Sequence, residues 1–369
     1  MRAELNLDET RAWLTLLRVP GLGPAGIREL LGRHGGAQAA VQAALHATRR
    51  AGTDAPTAAL VDGDLRWLEA PDHHLLVCTS EDFPVLLRDI PGPPVALFVA
   101  GDPSSLWAPQ IAIVGARGAT SGGLANARAF ATAFAQAGNV VTSGMAEGVD
   151  GAAHEAALAG GGKTIAVLGT GPDIIYPRRH GKLAERIIGH GALVSEFPPG
   201  MPGKPEFFPR RNRIIAGLSL GTLVIEASLK SGSLITARLA AEQGREVFAL
   251  PGTINNPLAR GCHKLIRDGA KLVETPEEVL EDLRGIGGAL AESLRRRLDG
   301  VAPMLAPAAH ARAYDPDYQC LLAALDGGAR ALDELVVHTG LSAAALSSML
   351  LVLELEGGTA CENGRYSRR

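Results

Sequence analysis

Between Ile111 and about Leu283 the chain alternates short apolar runs with helix-length segments, and this alternation restricts the possible folds more than any other feature of the sequence. The runs are IAIVGA (111–116), NVVTSG (139–144), TIAVLGTG (164–171), ALVSEF (192–197), TLVIEAS (222–228) and VFALPG (247–252). They are apolar throughout, without the alternation of a half-solvated strand. Both faces of each strand are therefore covered, the condition met by a parallel sheet with helices on either side. The expected fold class is α/β, a Rossmann-like doubly wound, mainly parallel sheet. A helix is expected over about 122–137, stopping at Gly138, and another is expected to start after Asp150 as its N-cap.

The flanks read differently. Residues 1–45 are expected to be helical, with a P-G-L-G-P turn (Pro20–Pro24) in helix–hairpin–helix outline. Residues 46–64, rich in Ala, Thr, Asp and Gly, are expected to loop over the surface, and 73–102 to supply short strands leading into the sheet. Beyond a linker at 285–312, the region from Tyr314 onward reads as three helices and a hairpin. Ser342 would cap the third helix and Asn363–Gly364 would turn the hairpin, a winged-helix outline. The expected domains are thus 1–72 helical, 73–284 Rossmann-like, 285–312 linker and 313–369 winged helix.

Composition sets limits on this reading. The 369 residues are 46% apolar and 20% charged, ample for two or three packed domains. No run of 18 apolar residues and no signal peptide is present, so no membrane insertion is expected. Cys78, Cys262, Cys320 and Cys361 are scattered without metal or redox spacing, as in reduced thiols of a cytoplasmic protein. No metal and no cofactor is expected.

The segment from Lys204 to Ala237 carries the functional signal. Lys204, Arg210, Arg211 and Arg213 share ten residues with the adjacent rings of Phe207 and Phe208. Cations interleaved with flat aromatics suit a polyanion whose bases can stack, hence single-stranded nucleic acid. Three strand ends add small-residue turns suited to anions: GARGATSGG (115–123), SGMAEGVD (143–150) and GTGPDIIYP (169–177). Glycines there let backbone N–H groups approach a phosphate, helped by the positive end of the following helix. Arg117 stands just past the first strand, where its fork can grip a phosphate. Lys230, Ser231, Gly232 and Ser233 repeat the device at a fourth helix start.

A catalytic site is not expected. Asp150 and His154 read as a capping aspartate and a partly buried histidine. Glu226 would pair with an arginine of the 210–213 group in a positioning role, and Asp173 and Tyr176 would pin a loop. The second and third winged helices, from Asp333 to Glu356, hold no Lys or Arg, which favours a protein contact over duplex reading.

VGAR (114–117), SGMAEGVDGAAH (143–154), VLGTGPDIIYP (167–177), FPRRNRIIAGLS (208–219), IEASLKSGSLITA (225–237) and ALPG (249–252), in this order, resemble the bacterial DNA-processing protein A (DprA/Smf) family. The resemblance implies a non-enzymatic, homodimeric protein of competence, natural transformation and DNA recombination. Such a protein binds and protects incoming single-stranded DNA and helps load a RecA-type recombinase, acting as a recombination mediator. Carried over by motif, Arg117 would hold a phosphate beside the amides of Gly115, Ser143 and Gly144. Lys204 and either Phe207 or Phe208 would line the groove, with Arg210, Arg211, Asn212 and Arg213 in the same motif. GCHKLIRDGAKLV (261–273) resembles the self-association segment, which nominates His263 and Leu272. Where the family often has an aromatic after the arginine, this chain has Gly122–Gly123.

Two other readings stand beside it. A Rossmann-like nucleoside-monophosphate hydrolase would use the same phosphate turns, but SLGTLVIEA (219–227) lacks the paired glycines of its P-G-G-x-G-T-x-x-E stretch. A sequence-specific regulator would have to read duplex DNA through the acidic winged helix.

Overall fold

The computed structural model describes residues 6–50, 56–285, 316–325, 328, 330–341, 346, 349–350, 359–362 and 365–368. The chain falls into two compact units, Met1–Arg295 and Arg296–Arg369.

The first unit opens with four helices: α1 (Leu7–Arg18), α2 (Pro24–His34), α3 (Ala37–Arg50) and α4 (Ala58–Leu68). Asn6 caps α1 by accepting from the Glu9 amide, and Pro24 starts α2 where a missing N–H costs nothing. Trp13, Leu16, Ile27, Leu31, Ala40 and Val41 are buried together with Val77 and Ala96 of the adjoining strands, so the helical core runs into the sheet. The expectation of a surface loop over 46–64 is corrected on either side of 51–55, which lie outside the described residues. α3 reaches Arg50, and α4 buries Val61 and Asp64. The helical face of α3 is built from alanines (Ala37, Ala40, Ala44), whose small side chains pack closely but give little periodic contrast in sequence.

The strands follow: β1 (His73–Val77), β2 (Ala96–Gly101), β3 (Gln110–Val114), β4 (Val140–Ser143), β5 (Thr164–Val167), β6 (Gly191–Ser195), β7 (Gly221–Val224), β8 (Glu246–Ala249) and β9 (Lys271–Leu272). They form one sheet in the order β1-β2-β6-β5-β4-β3-β7-β8-β9, parallel from β6 to β9 and antiparallel where β2 meets its neighbours. Intervening helices are α5 (Val85–Arg88), α6 (Ser121–Gln136), α7 (Val149–Ala159), α8 (Gly181–His190), α9 (Phe207–Leu218), α10 (Ser233–Glu242) and α11 (Arg260–Arg267), with a further helix over 276–285.

β3 shows why the inner strands are apolar on both faces. Ile111 and Ile113 face Phe130 and Phe134 of α6, whereas Ala112 and Val114 face Ile214 and Ile215 of α9. Each of the Ile, Val and Phe side chains contributes about 1.5–3 kcal/mol on burial. From β3 the chain winds one way through β4, β5 and β6, then resumes on the other side with β7, β8 and β9. Helices on the two sides therefore diverge above the carboxyl ends of β3 and β7, opening a crevice at this reversal.

In the second unit, helices Pro316–Leu325 and Leu332–Thr339 accompany a sheet of β10 (Arg330–Ala331), β11 (Thr359–Glu362) and β12 (Arg365–Arg368), ordered β10-β12-β11. Leu321, Leu325, Leu335, Leu346 and Leu350 form its core, giving the expected winged helix. The wing's Arg365 pairs with Glu334 at 2.7 Å. Of the linker expected at 285–312, residue 285 still belongs to the helix over 276–285; the rest of it, the Ser342 cap and the Asn363–Gly364 turn lie outside the described residues.

Candidate nucleic-acid interface

The crevice holds about 520 Å³. β3 and the turn after it supply Val114, Gly115 and Arg117; the β4 turn supplies Ala146, and α7 Asp150; the start of α10 supplies Ser231, Gly232 and Ser233; α9 supplies Phe208, Arg211 and Asn212. A smaller cavity of about 100 Å³ shares Arg117, Tyr176, Phe208 and Arg211 and adds Gly144. The structure thus brings together residues from five separate sequence motifs.

The cations sort by their partners. Arg117 is exposed in the crevice wall, close enough to Arg211 for its charge to lower the latter's pKa. Arg211 is buried. It donates to the carbonyl oxygens of Gly144, at 2.6 Å, and Val167, and to Asn212 Oδ1 at 3.0 Å. Burial pushes its pKa down to about 10, with the Asp150 charge opposing the shift, so it stays protonated at neutral pH. A Cβ at Gly144 would collide with this guanidinium, so the turn requires glycine there. Gly148 has φ +78°, and its Cα side faces the carbonyls of Ala116 and Arg117, so glycine is required there as well.

Asp150 is not the N-cap expected from sequence. α7 starts at Val149, and the Asp150 carboxylate turns back to accept from the amides of Gly144 at 3.2 Å and Ala146 at 3.3 Å. Burial raises its pKa, with Arg211 opposing. Nor is His154 partly exposed. It is fully buried, and its Nδ1 lies 2.7 Å from Thr164 Oγ1. The Thr164 hydroxyl gives its proton to the Val141 carbonyl at 2.6 Å, so it accepts from His154 and leaves Nε2 with a lone pair and no partner. An acid–base pair is excluded by this separation of roles.

Glu226 is likewise reassigned. It accepts from the Thr120 amide and hydroxyl, both at 2.8 Å, and from Asn256 at 3.2 Å, tying the loops after β3 and β8 together. The carboxylate that pairs with Arg210, at 3.2 Å, and with Arg213 is Glu196. Its strand-end position in ALVSEF is as regular as that of Glu226, so spacing alone could not separate the two. Arg213 is 12% exposed and also donates to the Gly92 carbonyl, away from the crevice. Ser143 gives its hydroxyl proton to Ile113 and belongs to the sheet.

The two phenylalanines have different surroundings. Phe207 stacks on Phe197, centroids 4.1 Å apart, with Lys204 Nζ 5.5 Å above it. Phe208 lines both cavities, with its centroid 5.4 Å from Tyr176. Tyr176, 54% exposed, thus offers a second ring to the crevice, a role sequence reasoning missed. Its place at the end of a small-residue strand turn was the available signal. Asp173 does pin a loop, accepting from the Gly200 amide at 2.8 Å.

Ser231 and Ser233 bond each other through their hydroxyls at 2.6 Å beside the start of α10, and Lys230 is exposed next to them. On the far edge of the sheet, Leu272 is 50% exposed on β9, and His263 Nε2 lies 3.0 Å from the Gly252 carbonyl. Among the described residues no three His, Cys, Asp or Glu side chains gather as a metal site, and no helix is long and apolar enough to cross a membrane.

Family comparison matches residues 74–284 to the family described as DNA recombination-mediator protein A, with a DprA-like N-terminal HHH domain over 7–63 and a DprA winged helix domain over 305–365. Protein Smf of Escherichia coli is 44% identical over 317 residues, covering 84% of this chain and 80% of that protein. The X-ray structure of DNA processing protein A from Streptococcus pneumoniae superposes with a TM-score of 0.65 at 32% identity, covering 76% of this chain and 98% of the other. A structure described as giving the single-stranded DNA binding mode of DNA processing protein A from Helicobacter pylori superposes with a TM-score of 0.52 at 31% identity, covering 58% of this chain and 96% of the other.

Proposed function

This chain belongs to the DNA recombination-mediator protein A family, and from that premise we propose that it binds single-stranded DNA along the carboxyl edge of its sheet. The observation that carries the reading is the exposed Arg117 beside the buried Arg211. Among the described residues, Asp150 lines the larger cavity and Glu147 the smaller, and Glu147 is paired with Arg179 at 2.6 Å. With Asp150 offset by Arg211 and Glu147 by Arg179, Arg117 leaves the wall net positive, which favours an anion.

A phosphate would sit against Arg117, the amides after β3 and the amino end of α10, whose partial charge contributes about 0.3–1 kcal/mol. A neighbouring base would stack on Phe208 and Tyr176. Lys204 and Lys230, both exposed, would draw the backbone onward on either side. The single-stranded DNA bound by the Helicobacter pylori relative supports this assignment.

In this reading the protein is a recombination mediator without catalysis. It protects incoming DNA in natural transformation, helps load a RecA-type recombinase, and self-associates through the edge that carries His263 and Leu272. Hydrolysis of a nucleotide would need a carboxylate free to act. Asp150 instead receives two backbone amides beneath the turn.

Anisotropy of a labelled oligothymidine against a same-length duplex, over a salt series, tests the proposal. Tighter, salt-dependent binding of the single strand is expected. Equal binding of duplex, or release of free base from a nucleoside monophosphate, would overturn it.

A further inference from the structure

Two arginines of the helical segment reach out of it and end on backbone carbonyls of the sheet domain. Arg18, the last residue of α1, holds Asp64 of α4 through Nε at 2.9 Å and Nη2 at 2.6 Å. The same Nη2 donates to the Pro199 carbonyl at 2.7 Å. This pair is almost entirely buried, with side-chain exposures of 10% for Arg18 and 1% for Asp64. Arg28 of α2 gives both terminal nitrogens to the Pro93 carbonyl, with Nη1 at 2.7 Å.

Both carbonyls lie in segments tied to α9. The Pro199 segment is fixed from its other side as well, because the Gly200 amide donates to Asp173 and the Gly171 amide donates to Met201. It then runs through Gly203, packed against Phe208, and Lys204 into the first turn of α9. On the second route, Gly92, next to Pro93, accepts from Arg213 of α9 at 2.8 Å. Two independent lines from the helical segment therefore converge on the helix that presents Phe208 to the crevice.

We propose that Arg18 and Arg28 are positioning residues for strand binding: through Pro199 and Pro93 they fix α9 and so the place of Phe208. The proposal rests on the crevice being the single-strand site. Burial gives it physical content. A planar guanidinium shared between a buried carboxylate and a carbonyl has one geometry, so α1, α4 and the Pro199 segment move together.

The test uses the full chain and a labelled oligothymidine. Arg18→Met and Arg28→Met are each expected to weaken binding about 2- to 30-fold, the range of couplings carried through packed networks. A double-mutant cycle separates positioning from general weakening. In a Phe208→Ala background either substitution should change affinity by no more than about two-fold. Should Arg18→Met fail to fold because Asp64 is left unpaired, Arg28→Met carries the same prediction, since it orphans no buried carboxylate. Folded variants with wild-type affinity, or losses that simply add to that of Phe208→Ala, would overturn the proposal while Arg117→Ala still weakens binding. Failure of the wild type to bind would overturn the crevice reading and this proposal with it.

Discussion

Arg211 braces the Gly144 turn from behind: its guanidinium donates to the Gly144 carbonyl at 2.6 Å, while the Gly144 amide is held by Asp150 at 3.2 Å. Two opposite charges thus grip the two ends of one peptide segment, and neither is spent on solvent. Arg211→Met would take the charged donor from the buried Gly144 and Val167 carbonyls and the counter-charge from Asp150, a loss of about 1–3 kcal/mol or more. Urea unfolding is expected to report that loss. Full stability in the variant would mean that the brace is dispensable.

The separate surroundings of Phe207 and Phe208 predict separate phenotypes. Base stacking contributes about 1–3 kcal/mol per base, so Phe208→Ala is expected to weaken oligothymidine binding about 5- to 150-fold. Phe207→Ala breaks the stack on Phe197 and is expected to lower stability by about 1 kcal/mol or more, with the smaller effect on affinity. Paired melting and anisotropy measurements on both variants check this ordering.

His154 predicts a pH dependence. Burial pushes its pKa from 6.5 down to about 3, and the charges of His180 and Arg211 add to the shift. A base whose folded pKa is depressed binds fewer protons when folded. Its contribution is therefore complete above about pH 6.5 and is lost as pH falls toward about 3, at most about 1.4 kcal/mol per pH unit. His154→Gln, which does not titrate, should flatten the stability profile in that window. Denaturant midpoints measured from pH 4 to 7 for both proteins make the comparison.

The sheet was legible because its inner strands, β2 to β7, are buried on both faces and its crossover helices end at small residues; Gly138, at φ +82°, ends the first crossover helix where expected. The crevice was legible for a similar reason, since glycine-rich turns after consecutive parallel strands must gather at one edge. Partners were not legible. Glu196 and Glu226 both end apolar strands, and only the fold decides that the first takes Arg210 and Arg213 while the second takes Thr120. Arg211 and Arg213 likewise look equivalent in FPRRNR. A two-residue step on α9 turns one guanidinium under the Gly144 turn and the other to Glu196 and Gly92. The Asp64 helix escaped detection because its buried polar position is intelligible only with Arg18 opposite.

The most direct test of the strand-binding account is oligothymidine anisotropy with Arg117→Ala beside the wild type over a salt series. Arg117 is exposed, and among the described residues its side chain makes no hydrogen bond or ion pair. The account predicts a folded variant whose affinity falls by about ten-fold or more, with a salt slope shallower by about 0.7 for one lost phosphate contact. Unchanged affinity and an unchanged slope would contradict it and place the DNA contact outside the crevice.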